Sequence, residues 1–271
     1  MKNRSLLLLV VCVFALSFVG CGEKSQPSPK QEVATASEDT PSAKSVSVEK
    51  KTVDPAKTGS LMGRISFDGV APTPKPISIK GNPECAMLHP GGTVASEELL
   101  VKDGAIQNAF IYIKQGLEGY EFAAPKEPVT VSNKECVYLP HVVGVQVGQP
   151  VEYRNEDATL HNVHAFPKIN KGFNLGLPFA NMKQTKTFTE QEIMVPLKCD
   201  VHPWMLGYVG VVRHPYFAVT GPDGSFDIKN IPAGEYEVEV WHEKLGAQSL
   251  KIKIEPQASE TLNFTFKQAP A

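Results

Sequence analysis

Beyond residue 20, the 271-residue chain has no apolar run long enough to cross a bilayer and no convincing long amphipathic helix. Neither sign of charge is in excess. The 27 basic and 29 acidic residues give a formal net charge of −2 without a basic stripe, so nucleic acid is not an expected partner. The chain has no C-x-x-C-H segment for haem attachment, no phosphate loop, no nucleophile with its base and no paired acid site. An enzyme therefore has little residue-level support, and none is expected. From Gly22 to Gly59 there is no aromatic residue, no Leu and no Ile, only a mixture rich in Ser, Pro, Lys, Glu, Ala and Thr. Such a stretch cannot bury enough apolar surface to offset chain entropy, and residues 21–59 read as a disordered tether. As a flexible coil it would span roughly 30–40 Å.

What the N-terminus does have is a targeting pattern. Lys2 and Arg4 precede Leu6 to Val19, which is apolar except for Ser17, as in the core of a signal peptide spanning residues 1–20. Phe18-Val19-Gly20-Cys21 resembles a bacterial lipobox, with Phe18 where Leu is usual. The resemblance implies lipidation of Cys21 in an exported, membrane-anchored lipoprotein of the periplasm or cell surface. Ordinary cleavage, leaving Cys21 as a free thiol, is the alternative. Cys12 lies in the segment removed either way.

The remainder, from Ser60 to Lys267, is rich in strand signals. Leu61 to Phe67, Ala109 to Ile113, Val142 to Val147, Val151 to Arg154, Gly207 to Val212, Glu235 to Trp241 and Leu250 to Ile254 carry β-branched or aromatic residues, mostly alternating, between Gly/Pro/Asn/Asp turns. Tyr236, Val238 and Val240 share one face, opposite Glu235, Glu237 and Glu239. Ser96 to Val101 is expected to form one helical turn at most. The class is an all-β sandwich.

The densest chemistry is Lys198-Cys199-Asp200-Val201-His202-Pro203-Trp204-Met205-Leu206-Gly207, with Leu160-His161-Asn162-Val163-His164 upstream. A thiolate, two imidazoles and a thioether are the donor set of a blue-copper site, trigonal His₂Cys with a weak axial Met. A tight loop between strands ending at Lys198 and starting near Gly207 aims Cys199, His202 and Met205 at one centre, with His161 supplied by a neighbouring loop. Pro203 stiffens the loop by fixing its φ. His164 is expected on the same face as His161, supporting the ligands or lying in the core. Zinc suits the Cys and His residues but gains nothing from the Met, so copper is preferred. A binuclear centre would need a second bridging Cys in that loop, which is absent.

C-D-V-H-P-W-M resembles the ligand loop of the amicyanin-type cupredoxins. H-N-V-H resembles their first-ligand motif, and Val147-Gly148-Gln149-Pro150-Val151 with Asn155-Glu156-Asp157 is similar to their V-x-G-x-x-V…N-x-D run. The likeness covers about Glu127 to Arg213. It implies ligation of one mononuclear copper by His161, Cys199, His202 and Met205, and a bridge between the two ligand loops through Asn162. It also implies that His202 reaches the surface through an apolar docking patch, here flanked by Pro203, Trp204 and Leu206.

Cys85 and Cys136 remain. In an exported chain two leftover cysteines usually pair as a disulfide. His89 and His141, four or five residues after them, leave a Cys₂His₂ metal site as the alternative. His214 and His242 read as structural.

The tail carries a second likeness. Ala218 to Ile228 and Ile231 to Val238 resemble the carboxypeptidase regulatory-like (transthyretin-like) module, whose opening pattern has a counterpart upstream in Gly63 to Gly69 and Gln107 to Ile113. The expectation is a cupredoxin-like Greek-key β-sandwich, residues 125–213, inserted into a regulatory-like β-sandwich formed by 60–124 and 214–268. The alternative is a cupredoxin from Ser60 to Arg213 with an appended β unit. The functional expectation is a membrane-tethered, one-electron carrier serving a redox protein such as a dehydrogenase, cytochrome or oxidase. A copper-delivery protein and a structural β binding module are the alternatives. The six Met residues form no Met/His-rich tract of the cargo kind.

Overall fold

The computed structural model describes residues 51–267; the signal segment, Cys21 and most of the tether lie outside them. The chain is all-β, as its alternation predicts, and the strands fall into two sandwiches. Ordered structure starts before Ser60. A short 3₁₀ turn, Pro55–Lys57, is capped by Asp54, whose Oδ1 accepts the Ala56 N–H at 3.0 Å, and it leads directly into the strand Thr58–Asp68.

That strand is the spine of the first sandwich. It pairs antiparallel with Ser225–Pro232 and parallel with Ser259–Thr261 and Phe264–Lys267, and its far end meets Ala105–Ile106. The facing sheet runs in the order Phe217–Val219, Phe110–Gln115, Gly234–His242, Gly246–Ile254. Leu61, Ile65, Ile111, Ile113, Tyr236, Val238, Val240 and Phe264 fill the space between. The opposite face of Gly234–His242 behaves as its alternation requires: Glu237 and Glu239 meet Lys114 at 3.1 and 2.8 Å.

The chain between Gln115 and Phe217 builds the second sandwich. One sheet has the order Lys183–Thr187, Pro150–Asn155, Val129–Lys134, Val137–Leu139. The other runs Phe173–Leu177, His161–Ala165, Glu192–Lys198, Leu206–Val212, Val142–Gln146. Strands distant in sequence lie side by side in both, as in a Greek key: Leu206–Val212 is parallel to Val142–Gln146, and Pro150–Asn155 to Val129–Lys134. Val131, Tyr153, Val163, Leu197, Val209 and Cys199 belong to its core.

A third cluster joins the sandwiches. Phe110, Tyr112, Phe217 and Trp241 from the first meet Val142, Met194, Tyr208 and Val212 from the second. Two glycines allow this approach. A Cβ on Gly210 would sit 2.6 Å from the Phe110 ring, and one on Gly144 would sit 2.4 Å from Phe217.

Between Pro76 and Ala95 the chain leaves the sheets. It forms a two-stranded ribbon, Pro76–Ser78 with Thr93–Ala95, around the helix Pro83–Leu88. Ser96 to Val101 contains no helical turn. This excursion is fastened to the second sandwich by the Cys85–Cys136 disulfide and by a small cluster of Ile79, Cys85, Val94, Cys136, Val137 and Trp204.

Candidate metal centre

Three of the four expected ligands come from one turn. Glu192–Lys198 pairs with Leu206–Val212 out to Lys198 opposite Leu206, so the intervening residues must close the hairpin. They do so with Met205 N–H donating to the His202 carbonyl at 2.9 Å and Cys199 N–H reaching the Met205 carbonyl at 3.4 Å. His161 opens the adjacent strand His161–Ala165. Cys199, His202, Met205 and His161 are all buried.

Nδ1 of His161 and Nδ1 of His202 face each other at 2.9 Å, and Cys199 Sγ lies 3.8 Å from the latter. The three donor atoms fall within 4.8 Å of one another. Asn162 binds the two ligand segments together: its Oδ1 accepts the Asp200 N–H at 2.7 Å and the Cys199 thiol at 3.3 Å. Burial pushes the Cys199 thiol up, but hydrogen bonds from His161, His202 and nearby backbone bring it down to about 6. The site therefore favours a thiolate, the form that ligates. Two imidazole nitrogens, a thiolate and a buried thioether in the same core cluster fit the expected metal in donor identity.

The outer nitrogen of the His161 ring is held by a carboxylate. His161 Nε2 lies 2.9 Å from Asp157 Oδ2. That carboxylate also accepts the backbone N–H of Glu135 at 2.8 Å and of Cys136 at 2.9 Å. These two residues form the tip of the turn between Val129–Lys134 and Val137–Leu139, both left-handed with φ of 51° and 55°. Burial would raise the Asp157 carboxyl, yet His161 and the two backbone donors hold it below its ordinary value. Burial likewise would lower His161, and Asp157 with Cys199 raises it. A carboxylate behind a ligating imidazole fixes its tautomer and orientation. The sequence had marked Asp157 only as part of a motif run. Its role was legible in the Asn155-x-Asp157 spacing, since Asn155 Oδ1 accepts the Asp157 N–H at 2.9 Å and sets the carboxylate. Tyr138 adds a hydroxyl bond to the Asn162 carbonyl at 2.6 Å.

No protein-family model matches the chain, and no curated protein does. Similar solved structures include cupredoxins, over about a third of the chain. A reduced amicyanin mutant is 29% identical over 32% of this chain and 84% of its own, with a TM-score of 0.29. A purple cupredoxin from Nitrosopumilus maritimus is 24% identical over 31% of this chain and 98% of its own, with a TM-score of 0.27. A copper-containing nitrite reductase from Thermus scotoductus SA-01 is 24% identical over 34% of this chain, with a TM-score of 0.29; the match spans only 24% of that enzyme.

Cys85 and Cys136 are joined at an S–S distance of 2.07 Å. The Cys₂His₂ alternative does not assemble, because His89 Nε2 bonds the Glu135 carbonyl and His141 Nε2 bonds Glu243. His164 departs from expectation. It lies three residues beyond His161, an odd step along a strand, and so faces the other way. It is half-exposed, with Nδ1 3.0 Å from Asp200 Oδ1. His214 and His242 are buried, and burial lowers both to about 4.

The ring edge of His202 does not open onto the surface, being 3% exposed. Its Nε2 lies 3.4 Å from Cys85 Sγ, so the 76–95 excursion covers the place where the docking patch was expected. Trp204 is half-buried, packs on both the sandwich core and the disulfide cluster, and donates its indole N–H to the Cys136 carbonyl at 2.9 Å. Leu206 and Pro203 line a cleft of about 300 Å³ with Trp204, Glu97, Glu98 and His141.

Proposed function

We propose that this protein is a blue-copper electron carrier, with His161, Cys199 and His202 as equatorial ligands and Met205 as the weak axial ligand. The convergence of two Nδ1 atoms on Cys199, the one free cysteine among the described residues and a buried one, carries this reading. Copper bound there would supply a one-electron Cu(II)/Cu(I) couple. The chain's own contribution is rigidity. Asp157 orients His161, Asn162 locks the two ligand segments, and the hairpin bonds of Met205 hold the loop in one shape. Donors held this way would move little when the charge of a bound metal changes. A carrier rather than a catalyst fits a centre whose ligands are all enclosed. The lipobox-like Phe18-Val19-Gly20-Cys21 and the Ser/Pro/Lys-rich composition that follows it support a carrier tethered to an extracytoplasmic membrane surface and serving a protein redox partner.

Absorption and EPR spectra of the copper-loaded protein test this. An intense thiolate-to-copper band is expected, lost in Cys199→Ser and kept in Met205→Leu with a raised potential. Colour that survives Cys199→Ser overturns the assignment.

A further inference from the structure

His202 has two nitrogens and two sulfur neighbourhoods. Nδ1 faces Cys199 and His161. Nε2 faces the disulfide, 3.4 Å from Cys85 Sγ. Among the described residues no nitrogen or oxygen hydrogen-bonds Nε2, so a buried imidazole edge rests on a disulfide sulfur, a weak acceptor. A carboxylate would have been the ordinary choice, as Asp157 is for His161. Cys85 Sγ, Cys136 Sγ and a ring nitrogen of His202 all lie within 4.8 Å of one another, and all three residues are buried.

We propose that reduction of the Cys85–Cys136 disulfide turns it into a second metal site, in which the two thiolates and His202 Nε2 take a thiophilic d¹⁰ cation such as Cu(I). Two soft thiolates and an imidazole at this spacing match what such a cation prefers. The step balances with a dithiol as reductant. The dithiol gives two electrons and two protons, the S–S bond breaks, Cys85 and Cys136 become thiols, and the dithiol leaves as its disulfide. Binding the cation then releases the two thiol protons. Access comes through the 76–95 excursion, a two-stranded ribbon and a six-residue helix that are not part of either sandwich's sheets. Segments of that kind open locally without global unfolding. Because a neutral imidazole ligates through one nitrogen, the new site and the Cys199 site compete for His202. Reduction would thus pull a key ligand away from the electron-transfer centre.

The test does not depend on that centre. In the full chain carrying Cys12→Ser, Cys21→Ser and Cys199→Ser, only Cys85 and Cys136 remain as cysteines. The chain is reduced with dithiothreitol, desalted without oxygen and titrated with Cd²⁺. A single equivalent should bind, with a thiolate-to-cadmium band in the ultraviolet, and the reoxidised chain should bind none. Adding His202→Ala should weaken binding about tenfold or more. A further variant with Cys85→Ser and Cys136→Ser reports by near-ultraviolet circular dichroism whether the sandwiches survive loss of the bond. Equal Cd²⁺ binding by reduced and oxidised chains overturns the proposal. So does tight binding indifferent to His202→Ala, which is what thiols in an unfolded chain would give.

Discussion

The backbone N–H of Cys136 and the imidazole of His161 are fastened to the same oxygen, Asp157 Oδ2, at 2.9 Å each. One carboxylate therefore sets both the hairpin that carries the disulfide and the ring that faces the thiolate. Asp157→Asn keeps the shape but loses the charge and one acceptor. It should cost about 1–3 kcal/mol in urea unfolding. Copper affinity, read by competition with a chelator, should fall about 10–100-fold. Wild-type values in both would mean that the carboxylate does not orient the ring.

Trp204 provides a second test. Its indole N–H bond to Cys136 and its packing on two clusters make it part of the structure. Trp204→Phe should lose about 0.5–1.5 kcal/mol, the value of one hydrogen bond. Trp204→Glu should lower the melting temperature clearly further. A normal melt for Trp204→Glu, with slowed electron exchange, would instead return the residue to a docking role.

The contact between the sandwiches is tested at glycine. Gly210→Ala drives a methyl group into the buried Phe110 ring and should cost about 1–3 kcal/mol. Gly176→Ala, whose added carbon meets no atom within 4 Å, is the control and should be near neutral. Similar melts for the two variants would show that the ring yields freely.

His141 sets a pH dependence. Burial pulls its pKa down, but Glu243 at 2.5 Å and Glu97 at 3.5 Å raise it above 6.5 overall. A histidine raised on folding stabilises fully below its unfolded pKa and loses that contribution as pH rises through the folded value. Glu97, raised mainly by burial, acts in the same direction. In Cys199→Ser protein, which lacks the lowered thiol that drives stability the other way over the same range, stability should therefore fall as pH climbs from 6.5 into the mildly alkaline range. His141→Gln should flatten that slope in denaturant melts across pH, and an unchanged slope would locate its source elsewhere.

The long strands were readable because alternation is a local signal. Glu235 to Trp241 and Leu250 to Ile254 lie inside Gly234–His242 and Gly246–Ile254. The ligand loop was readable because Cys199, His202 and Met205 are close in sequence. What escaped notice was non-local or too short to show a period. Pro83–Leu88 has only six residues. The burial of His202 depends on Cys85, 117 positions away, and no pattern around either residue reports that contact. Half-burial of Trp204 follows from the same excursion.

The spine strand Thr58–Asp68 emerges early in synthesis, yet most of its ladder lies in Ser225–Pro232, Ser259–Thr261 and Phe264–Lys267. Its unpaired edge must wait while the whole ligand-bearing sandwich is made. The inner unit, closed upon itself between Val129 and Val212, is free to fold first and would bring Gln115 and Phe217 back towards each other. Birth order and assembly order are then opposite for the outer sandwich. Any delay in completing the chain would expose that lone strand longest, and an unpaired edge of this kind is where non-native pairing would start.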